Sequence, residues 1–273
     1  MNRTSFASYG TFLILAAVCV CIFTILNLQI AEPLVDKAAD VDKSIMLALN
    51  FDGGPSTDRF WHAISQNSAW VPVGVTLLLS LALYKKSLLV PTMIVVGLAL
   101  TVTLADQISS SLIKPYFCRP RPSHNEEICG MLHYVNGYKG GMYGFVSSHA
   151  ANAFGVFAFL APSLRHKTTV AALFVWSCMV AYSRIYLGVH YFGDIVCGGI
   201  LGITVGIGVS LALKYAYKRI SSVNKKSSVD YDMKHTLQSG LLTAALLITS
   251  FYLLSSSYFQ SVPITTYGIM LFN

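Results

Sequence analysis

Long stretches without a charged side chain constrain this chain more than any other feature of its sequence. Residues 9–31 contain no Asp, Glu, Lys or Arg, and neither do residues 195–213. A helix needs about 20 apolar residues to cross the roughly 30 Å hydrocarbon layer of a bilayer. Charged residues make up only 11% of the chain, whereas a soluble domain carries about 25%. The sequence therefore predicts an integral membrane protein.

We expect one all-α domain over residues 1–273, built as a polytopic bundle of membrane-spanning helices. Each span is predicted to be helical because a lone segment in lipid must satisfy its own backbone hydrogen bonds. The core, 9–217, should hold six spans, and a seventh should follow at about 237–256. The core spans are predicted at roughly 9–31, 70–84 (with an extension upstream into 66–70), 88–113, 147–164, 170–189 and 195–217.

The basic residues predict the orientation of these spans. The formal net charge is +7, but the Lys and Arg residues form no single block of the kind that binds nucleic acid. They fall instead in alternate connections, which the positive-inside rule assigns to the cytoplasm. The residues concerned are Arg3, Lys85, Lys86, Arg165, Lys167, Lys214, Lys218, Arg219, Lys225, Lys226 and Lys234. Three connections are therefore predicted to face outward: 32–69, 114–146 and 190–194. The first span, 9–31, is predicted to be an uncleaved anchor.

Three cations are brought to the outward side by different span ends. Lys114 and Arg121 flank a proline-rich segment, and Arg184 lies near the end of the fifth span. Convergent cations of this kind suit an anion, and the planar fork of Arg matches phosphate oxygens. Ser147 stands where the amino-terminal cap of the fourth span is expected, so that free N–H groups would point at the same anion.

Two histidines and one aspartate complete the constellation. His190 and Asp194 are four residues apart, which places them on one face of a helical turn. A carboxylate there can fix the tautomer of the imidazole, as in a hydrolytic triad, with the imidazole itself as nucleophile. His149, at the start of the fourth span, is then the candidate general acid for the leaving alkoxide.

These segments resemble the signature motifs of the type 2 phosphatidic acid phosphatase superfamily. The family pattern is Lys-x6-Arg-Pro, Pro-Ser-Gly-His and Ser-Arg-x5-His-x3-Asp. Two positions depart from it, because Val146 replaces the proline and Ser148 replaces the glycine. The family uses the backbone N–H at the second of these positions, and serine still supplies one. The matching residues are Lys114, Arg121, Pro122, Ser147, His149, Ser183, Arg184, His190 and Asp194.

The resemblance implies a metal-independent lipid phosphatase without a cofactor. His190 would attack phosphorus, Asp194 would orient it, and His149 would protonate the leaving group and later activate water. The phosphate-binding residues would be Lys114, Arg121, Ser147, Ser148 and Arg184. The substrate would be a phosphomonoester or diphosphate of a membrane lipid, in a bacterial inner membrane with the active site facing the periplasm. Segment 136–149 resembles Bacteroidetes-type members, some of which dephosphorylate lipid A, so lipid A is favoured and undecaprenyl diphosphate comes next.

Several residues keep two interpretations at this stage. Arg119 either helps to bind phosphate or faces solvent, and Asp106 is expected to be satisfied by neighbouring hydroxyls rather than to touch substrate. Cys118 and Cys129 share the outer loop, where they are either bridged or two free thiols. His124 follows the first motif and is expected to be an ordinary loop residue.

Two other functions compete with a hydrolase. A phosphotransferase of the same fold would pass the phosphoryl group to another lipid, and the motifs do not separate it from a phosphatase. An anion transporter would carry ionisable residues near the midplane of several spans, whereas here they cluster at one surface. The sequence therefore favours an enzyme that acts on a membrane lipid.

Overall fold

The computed structural model describes residues 32–82, 89–164, 166–223 and Tyr252. These residues form helices and turns, with an isolated antiparallel bridge between Pro120 and Tyr143 and no strand among them. The α-helices are α1 (Glu32–Leu49), α2 (Gly54–Ser65), α3 (Val71–Ala82), α4 (Leu89–Gln107), α5 (Lys114–Phe117), α6 (Ser148–Leu160), α7 (Lys167–Tyr186) and α8 (Phe192–Val223). Short 3₁₀ turns lie at Asn67–Trp70, Pro122–His124, Cys129–Met131, Val135–Gly137 and Ala161–Ser163.

Three helical stretches of the described residues are long and apolar enough to cross a membrane. They are Leu89–Phe117, Lys167–Tyr186 and Phe192–Ile220. The first is continuous because a π-helical turn, Ile108–Ile113, joins α4 to α5. Large apolar side chains of α4, such as Val95, Leu100 and Leu104, are exposed on the protein surface, as lipid contact requires.

The remaining predicted spans have mixed outcomes. The segment 147–164 forms a 13-residue helix, α6, followed by the turn Ala161–Ser163. The segment 70–84 forms α3, and its upstream extension is the 3₁₀ turn Asn67–Trp70. The spans 9–31 and 237–256 lie outside the described residues, so the total of six or seven spans remains a prediction.

The connection 32–69 is more ordered than the sequence suggested. The sequence predicted only that this connection faces outward, and in the structure it forms α1 and α2. α1 contacts α7 and α8, and α2 packs on α7. The aromatic ring of Trp61 in α2 lies 4.7 Å from that of Tyr182 in α7, centroid to centroid. These two helices therefore form part of the wall around the ends of α7 and α8.

Helices α6 and α8 touch through their backbones. Gly198, Gly202 and Gly206 recur every four residues along α8, in the small-residue pattern that lets membrane helices approach closely. A Cβ atom added at any of these positions would collide with the backbone of α6. The carbonyl oxygens that these carbons would meet belong to Ser147, Ala151 and Gly155. The contact places the start of α6 beside the start of α8.

Candidate active site

His190 and Asp194 lie where the chain turns from α7 into α8. Both side chains are almost fully buried, and Nδ1 of His190 lies 3.4 Å from Oδ2 of Asp194. The backbone N–H of Tyr191 donates to the same carboxylate oxygen at 3.0 Å. Gly188 allows this turn, because its φ of 75° is a conformation that other residues rarely adopt.

The second ring nitrogen of His190 is held by Arg121. Nη1 of Arg121 lies 3.0 Å from Nε2 of His190. A guanidinium has donors only, so Nε2 must be the acceptor and the proton of a neutral ring must be on Nδ1, towards Asp194. This arrangement leaves the lone pair of the nucleophile candidate on Nε2, beside a cation that suits a phosphate.

The charges around His190 keep its imidazole neutral. Burial lowers the pKa of His190 well below the ordinary value of 6.5, and the positive charges of Arg121, Arg184 and Lys114 lower it further. A neutral imidazole retains the lone pair that nucleophilic attack requires. The same cations would be balanced by a phosphate group bound among them.

Arg121 is fixed by the segment that follows it in the outer loop. Its Nε donates to the carbonyl oxygen of Tyr143 at 3.1 Å, and its backbone N–H donates to Met142 at 3.0 Å. Gly144 makes this approach possible, because a Cβ there would lie 2.9 Å from Oδ2 of Asp194. The loop therefore closes over Arg121 and Asp194 together.

Lys114 is held by the residue that replaces the family glycine. Nζ of Lys114 donates to Oγ of Ser148 at 2.7 Å. Two hydroxyls of the π-helical turn meet the same oxygen, Ser109 at 2.9 Å and Ser110 at 3.0 Å. Ser110 also lies 3.5 Å from a carboxylate oxygen of Asp106, in line with the expectation that neighbouring hydroxyls satisfy Asp106. Ser148 thus fixes the ammonium of Lys114 at the start of α6.

The amino-terminal end of α6 is tied to Asp194. Ser147 caps the helix, since its hydroxyl accepts from the backbone N–H of Ala150 at 3.4 Å. Its own backbone N–H donates to the carbonyl oxygen of Asp194 at 2.9 Å. His149 follows on the first turn of α6, close enough to His190 and Arg184 to interact with them electrostatically.

Arg184 is buried near His190 and His149. One terminal nitrogen donates to Oγ of Ser65 at 2.8 Å, and the other donates to the hydroxyl of Tyr138 at 3.3 Å. Its Nε is one of the buried side-chain atoms of the described residues that have no hydrogen-bond partner. A buried guanidinium with an unused donor is costly unless an anion uses it.

The predicted site residues therefore lie together. Direct hydrogen bonds link Lys114 to Ser148, Arg121 to His190 and Ser147 to Asp194. A sequence model of the PAP2 superfamily matches residues 70–218, more than half of the chain. The chain belongs to the PAP2 superfamily. The resemblance identified from the three motifs is confirmed.

Curated PAP2 relatives cover most of the chain. A protein named lipid A 4'-phosphatase from Bacteroides thetaiotaomicron is 36% identical over 222 residues, which are 79% of this chain and 97% of that protein. Another of the same name from Porphyromonas gingivalis is 37% identical over 180 residues, 66% of this chain and 76% of its own length. The crystal structure of a transmembrane PAP2-type phosphatidylglycerolphosphate phosphatase from Bacillus subtilis is 20% identical, with a TM-score of 0.48, and the match covers 80% of this chain and 98% of that chain.

Some residues at this PAP2 site were missed from sequence. Ser65 and Tyr138 contact the predicted residue Arg184, and Asp42 contacts Arg119. Tyr138 lies in segment 136–149, but the resemblance of that segment assigned it no role. No motif position marks these three residues, because their roles depend on contacts between distant segments. Arg119 fits neither interpretation offered for it, because its guanidinium contacts Asp42 and Asp194. Cys118 and Cys129 are free thiols.

A separate cluster in the described residues could hold a metal ion by spacing alone. One ligand atom each from Asp52, Asp58 and His133 lies within 4.8 Å of the others. Two of these atoms already bond to each other, since Nε2 of His133 lies 2.8 Å from Oδ1 of Asp58. The hydroxyl of Tyr186 donates to that same oxygen at 2.6 Å. The cluster includes none of the predicted catalytic or phosphate-binding residues.

Proposed function

We propose that the chain is a lipid phosphatase that removes a phosphate group from lipid A by way of a phospho-histidine intermediate. The observation that carries this proposal is the position of His190 between Asp194 and Arg121, with its unprotonated Nε2 facing the cations. The choice of lipid A is supported by the relative that is 36% identical and matched over 97% of its length. Undecaprenyl diphosphate is the next substrate to consider.

In the first step, the phosphate group of the lipid enters among Lys114, Arg121 and Arg184. The guanidinium of Arg121 passes from Nε2 of His190 to a phosphoryl oxygen, which frees the lone pair. Nε2 then attacks phosphorus, a nitrogen–phosphorus bond forms, and the bond from phosphorus to the lipid oxygen breaks. His149 gives its proton to that oxygen, so that the lipid leaves as an alcohol.

In the second step, water replaces the lipid. His149, now neutral, takes a proton from the water as it attacks phosphorus, and the nitrogen–phosphorus bond breaks. Inorganic phosphate leaves, while His190 is neutral and His149 is protonated again. The chain's own cations and the amino-terminal end of α6 supply the positive field, so the step requires no metal ion.

We further propose that the site opens on the periplasmic face of a bacterial inner membrane. This orientation is supported by the Lys and Arg residues in alternate connections, which the positive-inside rule assigns to the cytoplasm. The described site residues belong to the connections on the other side or to the span ends next to them. The phosphate of an outward-facing lipid would therefore meet the cations directly.

Phosphate release from a panel of lipids tests the substrate. The purified protein should release inorganic phosphate from lipid A without an added acceptor, and faster than from undecaprenyl diphosphate, phosphatidylglycerol phosphate or phosphatidic acid. A higher kcat/KM for another lipid would refute the assignment of lipid A. Phosphoryl transfer that depends on a second lipid would instead indicate a phosphotransferase.

Trapping of the intermediate tests the mechanism. Reactions of the native protein that are quenched in an alkaline denaturant should yield a phosphoryl group that later acid treatment releases and that His190→Ala abolishes. His166→Ala is the matched control, because His166 is exposed at the start of α7. His149→Ala should slow turnover of a lipid more than that of nitrophenyl phosphate, whose leaving group needs little protonation. A labelled His190→Ala protein, or equal losses for both substrates in His149→Ala, would show that the roles are wrongly assigned.

A further inference from the structure

Arg119 joins two carboxylates beside the candidate nucleophile. Its Nη1 donates to Oδ1 of Asp194 at 2.7 Å, and its Nη2 donates to Oδ2 of Asp42 at 2.8 Å. The side chain of Asp194 is fully buried and that of Asp42 is 11% exposed, while that of Arg119 is 26% exposed. Both terminal nitrogens of Arg119 are therefore occupied by acids of the protein.

The remaining oxygens of these carboxylates hold the backbone at the start of α8. Oδ1 of Asp42 accepts from the backbone N–H of Gly193 at 2.8 Å, and Oδ2 of Asp194 accepts from that of Tyr191 at 3.0 Å. A Cβ on Gly193 would lie 2.6 Å from Asp42, so only glycine allows this approach. The guanidinium of Arg119 also lies 4.2 Å from the ring centroid of Tyr191. The network thus surrounds the three residues between His190 and Asp194.

This network determines how Asp194 meets His190. The terminal torsion of an aspartate is broad, so a carboxylate held at one oxygen can still turn. Arg119 holds Oδ1 of Asp194, which leaves Oδ2 directed at Tyr191 and at Nδ1 of His190. Asp42 in turn holds the second nitrogen of Arg119, so the guanidinium is fixed at both ends.

We propose that Arg119 and Asp42 are positioning residues for the phosphoryl-transfer step. They act through Asp194, whose fixed carboxylate keeps the proton of His190 on Nδ1 and the lone pair on Nε2. Neither residue touches the substrate. This inference rests on the proposed function, because it takes His190 as the nucleophile. It adds Arg119, at an unspecified position of the first PAP2 motif, and Asp42, which lies outside the three motifs.

Two variants of Arg119 test the positioning role against substrate binding. Arg119→Gln should lower kcat about 10- to 100-fold, by analogy with residues that orient metal-binding histidines. KM should change by less than about threefold, because an interaction needed only in the transition state affects kcat and kcat/KM together. Arg119→Lys should restore part of the loss, since it keeps the charge but not the planar fork. A rise in KM with unchanged kcat would overturn the proposal in favour of substrate binding.

Asp42→Asn gives an independent measurement on the other end of the network. The amide keeps an oxygen for Gly193 but loses the charge that faces Arg119, so a smaller decrease in kcat is expected. Asp40→Asn is the matched control, because Asp40 lies on the same helix, is 75% exposed and contacts Lys43. Wild-type kcat in Asp42→Asn would remove Asp42 from the proposal, and a loss in Asp40→Asn equal to that in Asp42→Asn would refute a specific role.

A double-mutant cycle separates positioning from a merely structural ion pair. Arg119→Gln should cost little further kcat in an Asp194→Asn background, because the residue through which it acts is already impaired. An equal loss of kcat in both backgrounds would refute the proposal. The midpoint of thermal unfolding is measured for each variant, and Arg119→Lys replaces Arg119→Gln in the cycle if the latter does not fold.

The same set of variants distinguishes failure of this inference from failure of the proposed function. Full turnover in His190→Ala would refute the phospho-histidine mechanism itself. Loss of turnover in His190→Ala and Asp194→Asn, together with full turnover in Arg119→Gln, would refute only the positioning role.

Discussion

Ser148→Ala removes the hydroxyl that holds Lys114 and leaves the backbone N–H at the start of α6 in place. In the native protein, Oγ of Ser148 lies 2.7 Å from Nζ of Lys114, and the side chain of Ser148 is buried. An ammonium has three donors, so Lys114 can bond to Ser148 and still donate to a phosphoryl oxygen. We therefore expect Ser148 to present Lys114 to the substrate.

The size of the effect follows from the kind of contact that is lost. A hydrogen bond to a charged group contributes about 1.5–3 kcal/mol. Each 1.4 kcal/mol corresponds to about a tenfold change in an equilibrium constant. If the whole contact serves phosphate binding, Ser148→Ala weakens binding between about tenfold and about one-hundredfold. In the proposed mechanism Lys114 contacts the phosphate before and during the reaction, so KM should rise more than kcat falls.

The assay compares inhibition constants for vanadate with KM for nitrophenyl phosphate. Ser111→Ala is the control, because Ser111 lies on the same π-helical turn but is exposed and bonds to Gln107 at 3.0 Å. Its constants should match those of the native protein. Unchanged binding in Ser148→Ala would show that the contact has no role in recognition. Tighter binding would show that Ser148 competes with the substrate for Lys114, which contradicts the argument.

Three further predictions concern metal ions, pH and topology. Turnover should survive EDTA and be inhibited by vanadate, because Lys114, Arg121 and Arg184 supply the positive charge; complete loss that magnesium restores would contradict this. Since burial and these cations lower the pKa of His190, protonation of the free enzyme should reduce kcat/KM only well below pH 6.5. The substrate phosphate ionises at about pH 6, and this ionisation must be measured separately. A decrease in kcat/KM that begins at pH 6.5 or above and belongs to the enzyme would refute the expectation. In intact cells that express the protein without Cys118 and Cys129, an impermeant thiol reagent should label Lys139→Cys and not Lys218→Cys. The reverse pattern would place the site in the cytoplasm.

Periodicity and motif spacing predicted the parts of the molecule that depend on local sequence. The apolar stretches gave the approximate positions of α4, α7 and α8, because lipid permits only helices with satisfied backbones. The spacing of His190 and Asp194 predicted their contact, because four residues span about one helical turn.

Contacts between distant segments were beyond the reach of this reasoning. The position of Lys114 depends on the π-helical turn Ile108–Ile113, which changes the face on which later side chains emerge, and no sequence pattern marks it. Asp42 lies in a connection that was predicted only to face outward, yet it contacts Arg119 and Gly193 across the fold. Its role depends on the packing of α1 against α8, which no local pattern in the sequence encodes.

The glycine contact between α6 and α8 has a consequence for how PAP2 proteins with this contact can diverge in sequence. Side chains in a core can repack around a substitution, whereas two peptide backbones already in contact cannot move closer. The separation between the cap at Ser147 and the backbone carbonyl of Asp194 is therefore a fixed length, set by Gly198, Gly202 and Gly206. Segment 114–146 closes over the same space, and it contains the predicted phosphate-binding residues Lys114 and Arg121. We expect changes of substrate to accumulate among the other residues of that segment while the spacing of the two helices stays constant.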